Sequence, residues 1–296
     1  MTIGMITGVL EQGLIYGILA LGLLITYRIL DFPDLTVDSS FPLGAAVSAI
    51  LTTYGMAPWL TLFVSLIAGA LSGLITGFIH VKCKVRDLLS GVITMTGLYS
   101  INLRIAGKAN LPLFAGDTLF KNDLTRSLPE WLSPYSTVII CLIIVVIAKL
   151  LLDWYLKTKA GFLLRAAGDN PSVVTTLSRD QGSVKIVGLM IANALVALSG
   201  AVMCQQQRFF DISMGTGTMV IGLASVIIGT NIFRSLHFMK STTMVIIGSI
   251  LYKACVSLAI SMGILEASDM KLITAVLFLL ILVLSQLRRK KVRLNA

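Results

Sequence analysis

The chain has 296 residues and a formal net charge of +10; 56% of its residues are hydrophobic and 13% are charged. Its mean hydropathy is +0.91. About 25% of the residues of an average soluble domain are charged, so this composition excludes an ordinary soluble domain and predicts an all-α polytopic membrane protein. In such a protein the excess of Lys and Arg reports the orientation of the loops, and we expect no nucleic-acid partner.

Nine apolar segments follow one another along the chain, and each approaches the length of about 20 residues that a helix needs to cross a bilayer. They cover residues 7–27, 36–54, 58–80, 87–106, 134–153, 185–204, 217–232, 240–262 and 269–287. We therefore expect about 8 to 10 transmembrane helices. They form a single transmembrane domain over 1–296, with a first half at about 7–106, a second half at about 185–287, and a hydrophilic segment at about 154–184 between them.

The basic residues indicate the orientation of the chain. They cluster at 82–86, 157–185, 234–240 and 288–293, and nine spans place all four clusters on one side of the membrane. Because Lys and Arg concentrate in cytoplasmic loops, we predict that this side and the C-terminus are cytoplasmic and that the N-terminus is external. If the segment 36–54 were re-entrant, the count would change and the N-terminus would be cytoplasmic.

Two of the apolar segments begin with polar residues. The stretch 31–40 reads DFPDLTVDSS, and the stretch 209–218 reads FFDISMGTGT. Asp34-Leu-Thr-Val aligns with Asp211-Ile-Ser-Met, and the predicted topology places the two breaks at opposite sides of the membrane. Discontinuous helices in halves of opposite orientation are typical of inverted-repeat transporters, so we predict an inverted repeat with two short, discontinuous helices.

Polar residues of these breaks, together with one Asn of an apolar segment, are the candidate substrate-pathway residues. A carboxylate near the bilayer centre costs about 2.5 to 3.5 kcal/mol on insertion scales and usually faces the protein interior or water. Either these side chains cap the short helices, or they border a translocation path where helix N-termini offer N–H groups to an anionic substrate. The candidates are Asp34, Thr36, Asp38, Ser39, Asn102, Asp211 and Ser213.

Other residues within the apolar segments also have two interpretations. Gly69, Gly73 and Gly77 form a stripe of small residues, and such stripes let helices approach closely in lipid. The stripe serves either packing within the chain or contact with a second copy. Asn193 and Lys253 either face a cavity or form interhelical contacts.

The hydrophilic segment contains helix signals. In GFLLRAAGDNPSVVTTLSRD, residues 161–180, Gly168 is predicted to end a short amphipathic helix. Asn170 is a good N-cap, and Pro171 suits the first position of a second short helix. The segment is therefore either an ordinary interfacial loop or a docking surface for a soluble partner.

Three stretches of the chain carry a resemblance to a known family. They are YGILALGLLITYRILDFPDLTVDSSFPLGAAVSA, GFLLRAAGDNPSVVTTLSRD and GTMVIGLASVIIGTNIFRS, in that order. Together they resemble the permease subunits of ABC importers of the branched-chain amino acid and ribose-type class. Within it, the chain is most similar to a branch of uncharacterised permeases that are paired with lipoprotein-type binding proteins.

The resemblance implies a division of labour between subunits. In this family the hydrophilic segment forms a coupling helix that enters a groove on a separate ATPase dimer, which binds ATP and Mg. The chain itself would be a multi-pass subunit of a bacterial plasma membrane, without catalytic residues or a cofactor of its own. The other implied partners are a second permease copy and an extracytoplasmic solute-binding protein. The implied coupling residues are Arg165, Gly168, Asp169, Asn170, Pro171, Ser172 and Thr175.

The residues themselves agree with that division, because the chain contains no GxxxxGK[ST] sequence and therefore no P-loop. We expect the membrane-spanning permease of an ATP-driven importer that carries a small solute, an amino acid and more narrowly an aromatic one. The alternative is an ion-coupled secondary transporter, which would also use inverted repeats and intramembrane carboxylates.

Overall fold

The computed structural model describes residues 3–114, 116–122, 125, 129, 135–169, 180–233, 238–261, 272, 274–276 and 278–283. In that part of the chain, seven helices are long and apolar enough to cross a membrane. A further helix, Val37–Thr53, has 17 residues and is shorter than these seven. The prediction of an all-α polytopic membrane protein is therefore confirmed.

The first half of the chain forms four helices. Helix α1 covers Ile3–Leu23 and continues as a π-helical turn over Leu24–Ile29, α2 covers Val37–Thr53, α3 covers Pro58–Val81 and α4 covers Asp87–Ala106. Proline at the start of α3 removes no helical hydrogen bond, because the first N–H groups have no partner within a helix. Gly107 ends α4 in the left-handed conformation, with φ of 70°.

After a long connection, the rest of the chain again forms helices. Helix α5 covers Ser136–Lys157, α6 covers Lys159–Asp169, α7 covers Gln181–Gln207, a 3₁₀ turn covers Ile212–Gly215, α8 covers Thr218–Ile232 and α9 covers Ser241–Ser261. Strand β1, Asn110–Pro112, pairs antiparallel with strand β2, Phe209–Asp211. Apart from α6, which belongs to the hydrophilic segment, these helices agree with the predicted apolar segments to within a few residues. The bounds of the ninth predicted segment, 269–287, lie outside the described residues.

Hydroxyl pairs join α2 to α3 along almost the whole length of α2. The pairs are Thr36 with Thr76 at 2.8 Å, Ser40 with Ser72 at 2.8 Å and Ser48 with Thr61 at 3.1 Å between side-chain oxygens. We call this set the hydroxyl ladder. Because the numbers rise along α2 and fall along α3, the two helices are antiparallel. The ladder residues on α3 extend from Thr61 to Thr76, which is most of that helix. Because α2 lies beside α3 over this length, the structure favours an α2 that crosses the membrane over a re-entrant one.

Helix α7 lies at the centre of the molecule and receives the glycine stripe of α3. A Cβ on Gly69 would lie 2.4 Å from the Asn193 carbonyl oxygen, and one on Gly73 would lie 2.2 Å from the Leu189 carbonyl oxygen. Real side chains do not approach that closely, so glycine is required for this helix contact. The stripe therefore packs within the chain, as one of its two interpretations predicted, and is not a contact with a second copy.

The contacts between helices repeat in the two halves. Helix α1 packs against α8 and α9, and α7 packs in the same way against α2 and α3. The turn before each discontinuous helix is also repeated. Asp34 Oδ1 accepts a hydrogen bond from the Thr36 N–H at 2.9 Å, and Asp211 Oδ1 accepts one from the Ser213 N–H at 2.7 Å. If α2 crosses, five membrane helices, α2 to α5 and α7, separate the two turns, which gives the turns the opposite orientations that an inverted repeat requires.

The basic helix ends gather at one end of the bundle, which we call the basic end. Phe32, after α1, contacts His80 near the end of α3, with ring centroids 5.1 Å apart. Lys240, before α9, forms an ion pair with Asp153 near the end of α5, with 2.9 Å between Nζ and Oδ2. The paired strands lie at the opposite end, the strand end. This grouping of loops is the one that nine spans require, and assigning the basic end to the cytoplasm rests on the positive-inside rule.

Candidate translocation and coupling sites

Asp34 is a fully buried carboxylate at the junction between α1 and α2. While its Oδ1 accepts the Thr36 N–H, its Oδ2 accepts a hydrogen bond from Asn193 Nδ2 of α7 at 2.7 Å. The same Asn193 amide is held by the Leu189 carbonyl oxygen at 3.1 Å. Burying a carboxylate is costly unless it is hydrogen-bonded, and these bonds supply the compensation. Asp34 thereby ties the break of the first half to the central helix of the second half.

Thr36, Ser39 and Asn102 join α2 to its neighbours. Thr36 is the first member of the hydroxyl ladder. Ser39 Oγ donates to the Met95 carbonyl oxygen at 2.8 Å, and Asn102 Nδ2 donates to the Ser39 carbonyl oxygen at 3.0 Å. Asn102 Oδ1 is buried and has no hydrogen-bond partner among the residues that the structure describes. The predicted pathway residues of the first half therefore cluster around the beginning of α2.

Asp38 caps the beginning of α8 although it belongs to α2. Its carboxylate accepts hydrogen bonds from the N–H groups of Gly217 at 3.2 Å and Met219 at 2.8 Å, and from Thr218 Oγ1 at 3.1 Å. The first N–H groups of a helix lack helical partners, and a negative charge is favourable at that end. In this conformation these donors are occupied by Asp38 and are not free for a substrate anion.

Asp211 and Ser213 lie at the strand end. Asp211 accepts hydrogen bonds from the N–H and the hydroxyl of Ser213, and Asn110 Nδ2 lies 3.4 Å from its Oδ2. Within the described ranges, no hydrogen bond connects Asp211 or Ser213 to Asp34 or Asp38. The two predicted groups of pathway residues are thus not hydrogen-bonded to each other. Asp34 and Asp211 each cap their own turn, as one interpretation predicted, whereas Asp38 caps the helix of the other half.

Gln205 is a buried polar residue that the sequence interpretation did not single out. Its Nε2 lies 2.8 Å from Thr61 Oγ1, 3.1 Å from Ser48 Oγ and 3.2 Å from the Pro58 carbonyl oxygen, and its Oε1 accepts the Leu119 N–H at 3.0 Å. It therefore extends the hydroxyl ladder to α7. The sequence signal that could have identified Gln205 is its polar side-chain amide at the end of an apolar segment.

The two polar residues with open interpretations form interhelical contacts. Asn193 bonds to Asp34 as described above. Lys253 of α9 is buried, and its Nζ lies 4.0 Å from the centroid of the Tyr16 ring of α1, a distance at which a cation is attracted to the ring face. Both contacts support packing between the two halves of the chain.

Helix α6 carries the predicted coupling residues that the structure describes. These are Arg165, Gly168 and Asp169, whereas Asn170, Pro171, Ser172 and Thr175 lie outside the described residues. The prediction that Gly168 ends the helix is wrong, because α6 continues to Asp169. Gly168 instead serves packing. A Cβ at this position would lie 1.8 Å from the Ile29 carbonyl oxygen, so α6 rests directly on the end of the π-helical turn.

Asp180 begins α7 directly after the hydrophilic segment. It is the N-cap, and it accepts hydrogen bonds from the Ser183 hydroxyl at 2.7 Å and from the N–H groups of Gly182 and Ser183, each at 3.1 Å. These bonds to the charged form hold the pKa of the Asp180 carboxyl below its usual value. A strong cap thus fixes the point where the hydrophilic segment rejoins the bundle.

Two cavities open at the ends of the molecule. The outer cavity, at the strand end, has a volume of about 450 Å³ and is lined by residues that include Thr52, Pro58 and Asp117. The inner cavity, at the basic end, has a volume of about 520 Å³ and lies between the π-helical turn, α5, α6 and the start of α9. Neither cavity is lined by Asp34, Thr36 or their hydrogen-bond partners. Asp34 and Thr36 have no exposed surface, so the polar cluster at the start of α2 is closed in this conformation.

Comparison with known proteins identifies the family. A model described as "Branched-chain amino acid transport system / permease component" matches residues 5–284. A "Tyrosine transport system permease protein" of Clostridioides difficile (strain R20291) is 43% identical over 291 residues, which are 98% of this chain and 95% of that protein.

Two further relatives agree with this match. "Uncharacterized protein RP368" of Rickettsia prowazekii (strain Madrid E) is 34% identical over 95% of this chain and 97% of that protein. A "Probable branched-chain amino acid transport permease protein LivH" of Methanocaldococcus jannaschii is 30% identical over 72% of this chain and 70% of that protein. With its apolar helices and this match over almost its whole length, the chain belongs to the family of branched-chain amino acid transport permease components, the multi-pass, non-catalytic membrane subunits of ABC importers.

Proposed function

We propose that the chain forms the translocation path of an ATP-driven amino acid importer, with aromatic amino acids as its substrates. The observation that carries this proposal is the 43% identity to a tyrosine transport system permease over 98% of the chain. The branched-chain amino acid permease among the relatives agrees with the broader substrate class. The polar groups around α2 can bind the carboxylate and ammonium groups that every amino acid carries.

The proposed path passes the junction of the two halves and is closed in this conformation, because Asp34 and Thr36 have no exposed surface. Opening would separate Asp38 from α8 and release the N–H groups of Gly217 and Met219. Released donors at a helix N-terminus are suited to an anionic group, such as the substrate carboxylate. Further residues that would border the path are Ser39 and Asn102 near the start of α2 and Asp211 and Ser213 at the strand end.

The proposed source of energy is a separate ATPase dimer that binds ATP and Mg and docks at the basic end. Arg165 and Asp169 are exposed on α6, while Leu164 is fully buried beneath it and Gly168 touches Ile29. A displacement of α6 would therefore reach the π-helical turn and, through the short connection that follows, Asp34. Single π-helical turns often lie at functional sites. The contact with the ATPase would also include Asn170, Pro171, Ser172 and Thr175.

Two further partners complete the proposed importer. A second copy of the chain would share the membrane with it, and a solute-binding protein would deliver substrate at the external side. The outer cavity at the strand end is a suitable receiving surface. It also lies beside the Gln205 group, which connects the outer ends of α2, α3 and α7.

The experiment that tests this proposal is reconstitution. The chain, its ATPase and its binding protein are placed in proteoliposomes, and uptake of labelled tyrosine, leucine and ribose is measured with and without ATP. We expect ATP-dependent uptake of tyrosine above that of leucine and none of ribose. ATP-dependent uptake of ribose in preference to either amino acid would overturn the substrate assignment.

One observation favours a second candidate, an ion-coupled secondary transporter. Asp34 is a fully buried carboxylate, and such residues often bind coupling ions or protons. The same proteoliposomes separate the two candidates when they contain the chain alone. Uptake that follows an imposed proton or sodium gradient without ATP would establish the second candidate and contradict the first.

A further inference from the structure

The inner cavity has an excess of positive charge. Its walls include Arg28, Lys157, Arg165 and Lys240 against two carboxylates, Asp153 and Asp169. The charge of Asp153 is already compensated, because Lys149 Nζ lies 3.1 Å and Lys240 Nζ lies 2.9 Å from its Oδ2, and the Thr242 hydroxyl donates to its Oδ1 at 2.7 Å.

Three cations remain without such compensation. Arg28, Lys157 and Arg165 form no ion pair and no side-chain hydrogen bond with another residue in the part of the chain that the structure describes. They face a cavity in which Asp169 is the other acidic residue. A cavity with this set of free guanidinium and ammonium groups is suited to an anion that accepts several hydrogen bonds, and phosphate is such an anion.

The cavity lies at the level where apolar spans begin and end. Arg28 is next to the last residue of the span Gly4–Ile29, and Lys157 is the last residue of α5. Trp154 is 70% exposed one turn before the end of α5, and exposed Trp is typical of the interface between lipid and water. A phosphate in the cavity therefore lies at the depth of lipid headgroups. If the phosphate belongs to a phospholipid, the acyl chains of that lipid can reach the apolar flank of α5.

We propose that the inner cavity binds the headgroup phosphate of an anionic phospholipid. Basic pockets between transmembrane helices on the cytoplasmic side are known to bind such headgroups. A lipid held by Arg28 of the π-helical turn, Lys157 of α5 and Arg165 of α6 connects the coupling helix to the transmembrane bundle. The site requires membrane embedding and does not depend on which solute is transported.

The test measures lipid preference next to the site. Trp59 and Trp131 are replaced by Phe in the full-length chain, so that Trp154 is its remaining tryptophan, and the chain is reconstituted in phosphatidylcholine bilayers with a tryptophan-free variant of its ATPase. Quenching of Trp154 fluorescence by brominated phosphatidylglycerol and by brominated phosphatidylcholine gives the relative affinity of the two lipids. We expect a preference for phosphatidylglycerol of at least about five-fold, which one or two basic contacts supply.

Matched variants assign that preference to the cavity. The double variant Arg28→Gln and Lys157→Gln should remove most of the preference, because two of the three headgroup contacts are lost. The charge-conserving variant Arg28→Lys and Lys157→Arg should keep most of it, and the control Lys84→Gln and Arg86→Gln, on another basic loop, should leave it unchanged. Monodisperse assembly with the ATPase shows that each variant has folded.

Three outcomes would overturn the proposal. They are equal quenching by the two lipids in the unmodified chain, an equal loss of preference in the Lys84 and Arg86 control, and a preference that persists in the Arg28→Gln and Lys157→Gln variant. Millimolar inorganic phosphate distinguishes the sources of the anion. If it abolishes the preference at constant ionic strength, the cavity binds free phosphate and the assignment to a lipid headgroup is wrong.

Discussion

Asp38 shows how one side chain can connect two halves of a permease. It lies within the first turn of α2, yet its carboxylate holds the three donors at the beginning of α8. A helix that begins with glycine and has no cap of its own depends on such an external acceptor, since Gly217 forms no side-chain cap. The start of α8 is therefore stable only while the two halves are together.

Removing this cap should destabilise the chain. Asp38→Ala eliminates all three hydrogen bonds, and we expect the free energy of unfolding to fall by about 0.5 to 2 kcal/mol, the usual cost of losing a helix cap. Asp38→Asn keeps an acceptor oxygen and should lose less. The measurement is denaturant unfolding of the purified chain in detergent, with the exposed Asp117→Ala as the control. Equal stability of Asp38→Ala and the unmodified chain would contradict the assigned role.

Gly73 also connects the two halves, because the absence of a side chain lets α3 lie directly against α7. We expect Gly73→Ala to lower stability by about 1 to 3 kcal/mol, the usual cost of overpacking, because its Cβ would lie 2.2 Å from the Leu189 carbonyl oxygen. Gly97 is the matched control, since a Cβ on it meets nothing within 4 Å. Thermal unfolding in detergent compares the two, and a similar loss for Gly97→Ala would show that the helix contact is not the cause.

At the scale of elements, the hydroxyl ladder explains why a short polar helix is stable in an apolar environment. Lipid offers no hydrogen bonds, so hydroxyl groups on α2 must find partners within the protein. Pairing them with α3 supplies these partners and also fixes the register of the two helices. Small Ser and Thr side chains further allow the close approach that membrane helices need.

A double-mutant cycle can measure one rung of this ladder. Replacing Ser40 and Ser72 by Ala, singly and together, should give a coupling energy of about 0.6 kcal/mol and at most about 1.7 kcal/mol, the range found for hydrogen bonds between membrane helices. The control cycle pairs Ser40 with Thr96, whose hydroxyl bonds within its own helix to the Val92 carbonyl oxygen. Coupling of the same size in both cycles would contradict a specific Ser40–Ser72 contact.

At the scale of the whole molecule, α6 is an element between the proposed docking surface and the membrane core. It packs against α5, α7 and the π-helical turn. At Gly168 the two backbones are so close that no side chain fits between them. A rigid contact of this kind transmits displacement because packed interfaces do not deform continuously. The transport cycle would then depend on this contact even though it lies far from the solute.

Gly168→Ala should therefore impair coupling more than assembly. The added Cβ pushes α6 away from Ile29, and we expect ATP-driven uptake by the reconstituted importer to fall by about tenfold, equivalent to about 1.4 kcal/mol, while the ATPase still co-purifies with the chain. Ala160→Ser, on the exposed first turn of the same helix, is the control. Uptake at the level of the unmodified chain would show that the contact between α6 and the π-helical turn does not carry the coupling.

The order and approximate bounds of the membrane helices that the structure describes followed from the amino-acid sequence alone. The free energy of placing a segment in lipid is a sum over about 20 neighbouring residues, so it can be evaluated locally. Polar interruptions such as Asp34 and Asp211 are visible for the same reason, and the alignment of their two turns predicted the repeat. The family resemblance came from contiguous motifs as well.

Only the tertiary structure decided which polar groups meet. That Asp38 caps α8, that Asn193 holds Asp34, and that Gly168 continues a helix instead of ending it all depend on contacts between residues distant in the chain. Local propensity can show that Asp38 needs donors or that Gly168 tolerates many conformations, but it cannot identify the partner. The partner is chosen by how whole helices pack, because only close approach of two backbones brings these particular atoms within hydrogen-bonding distance.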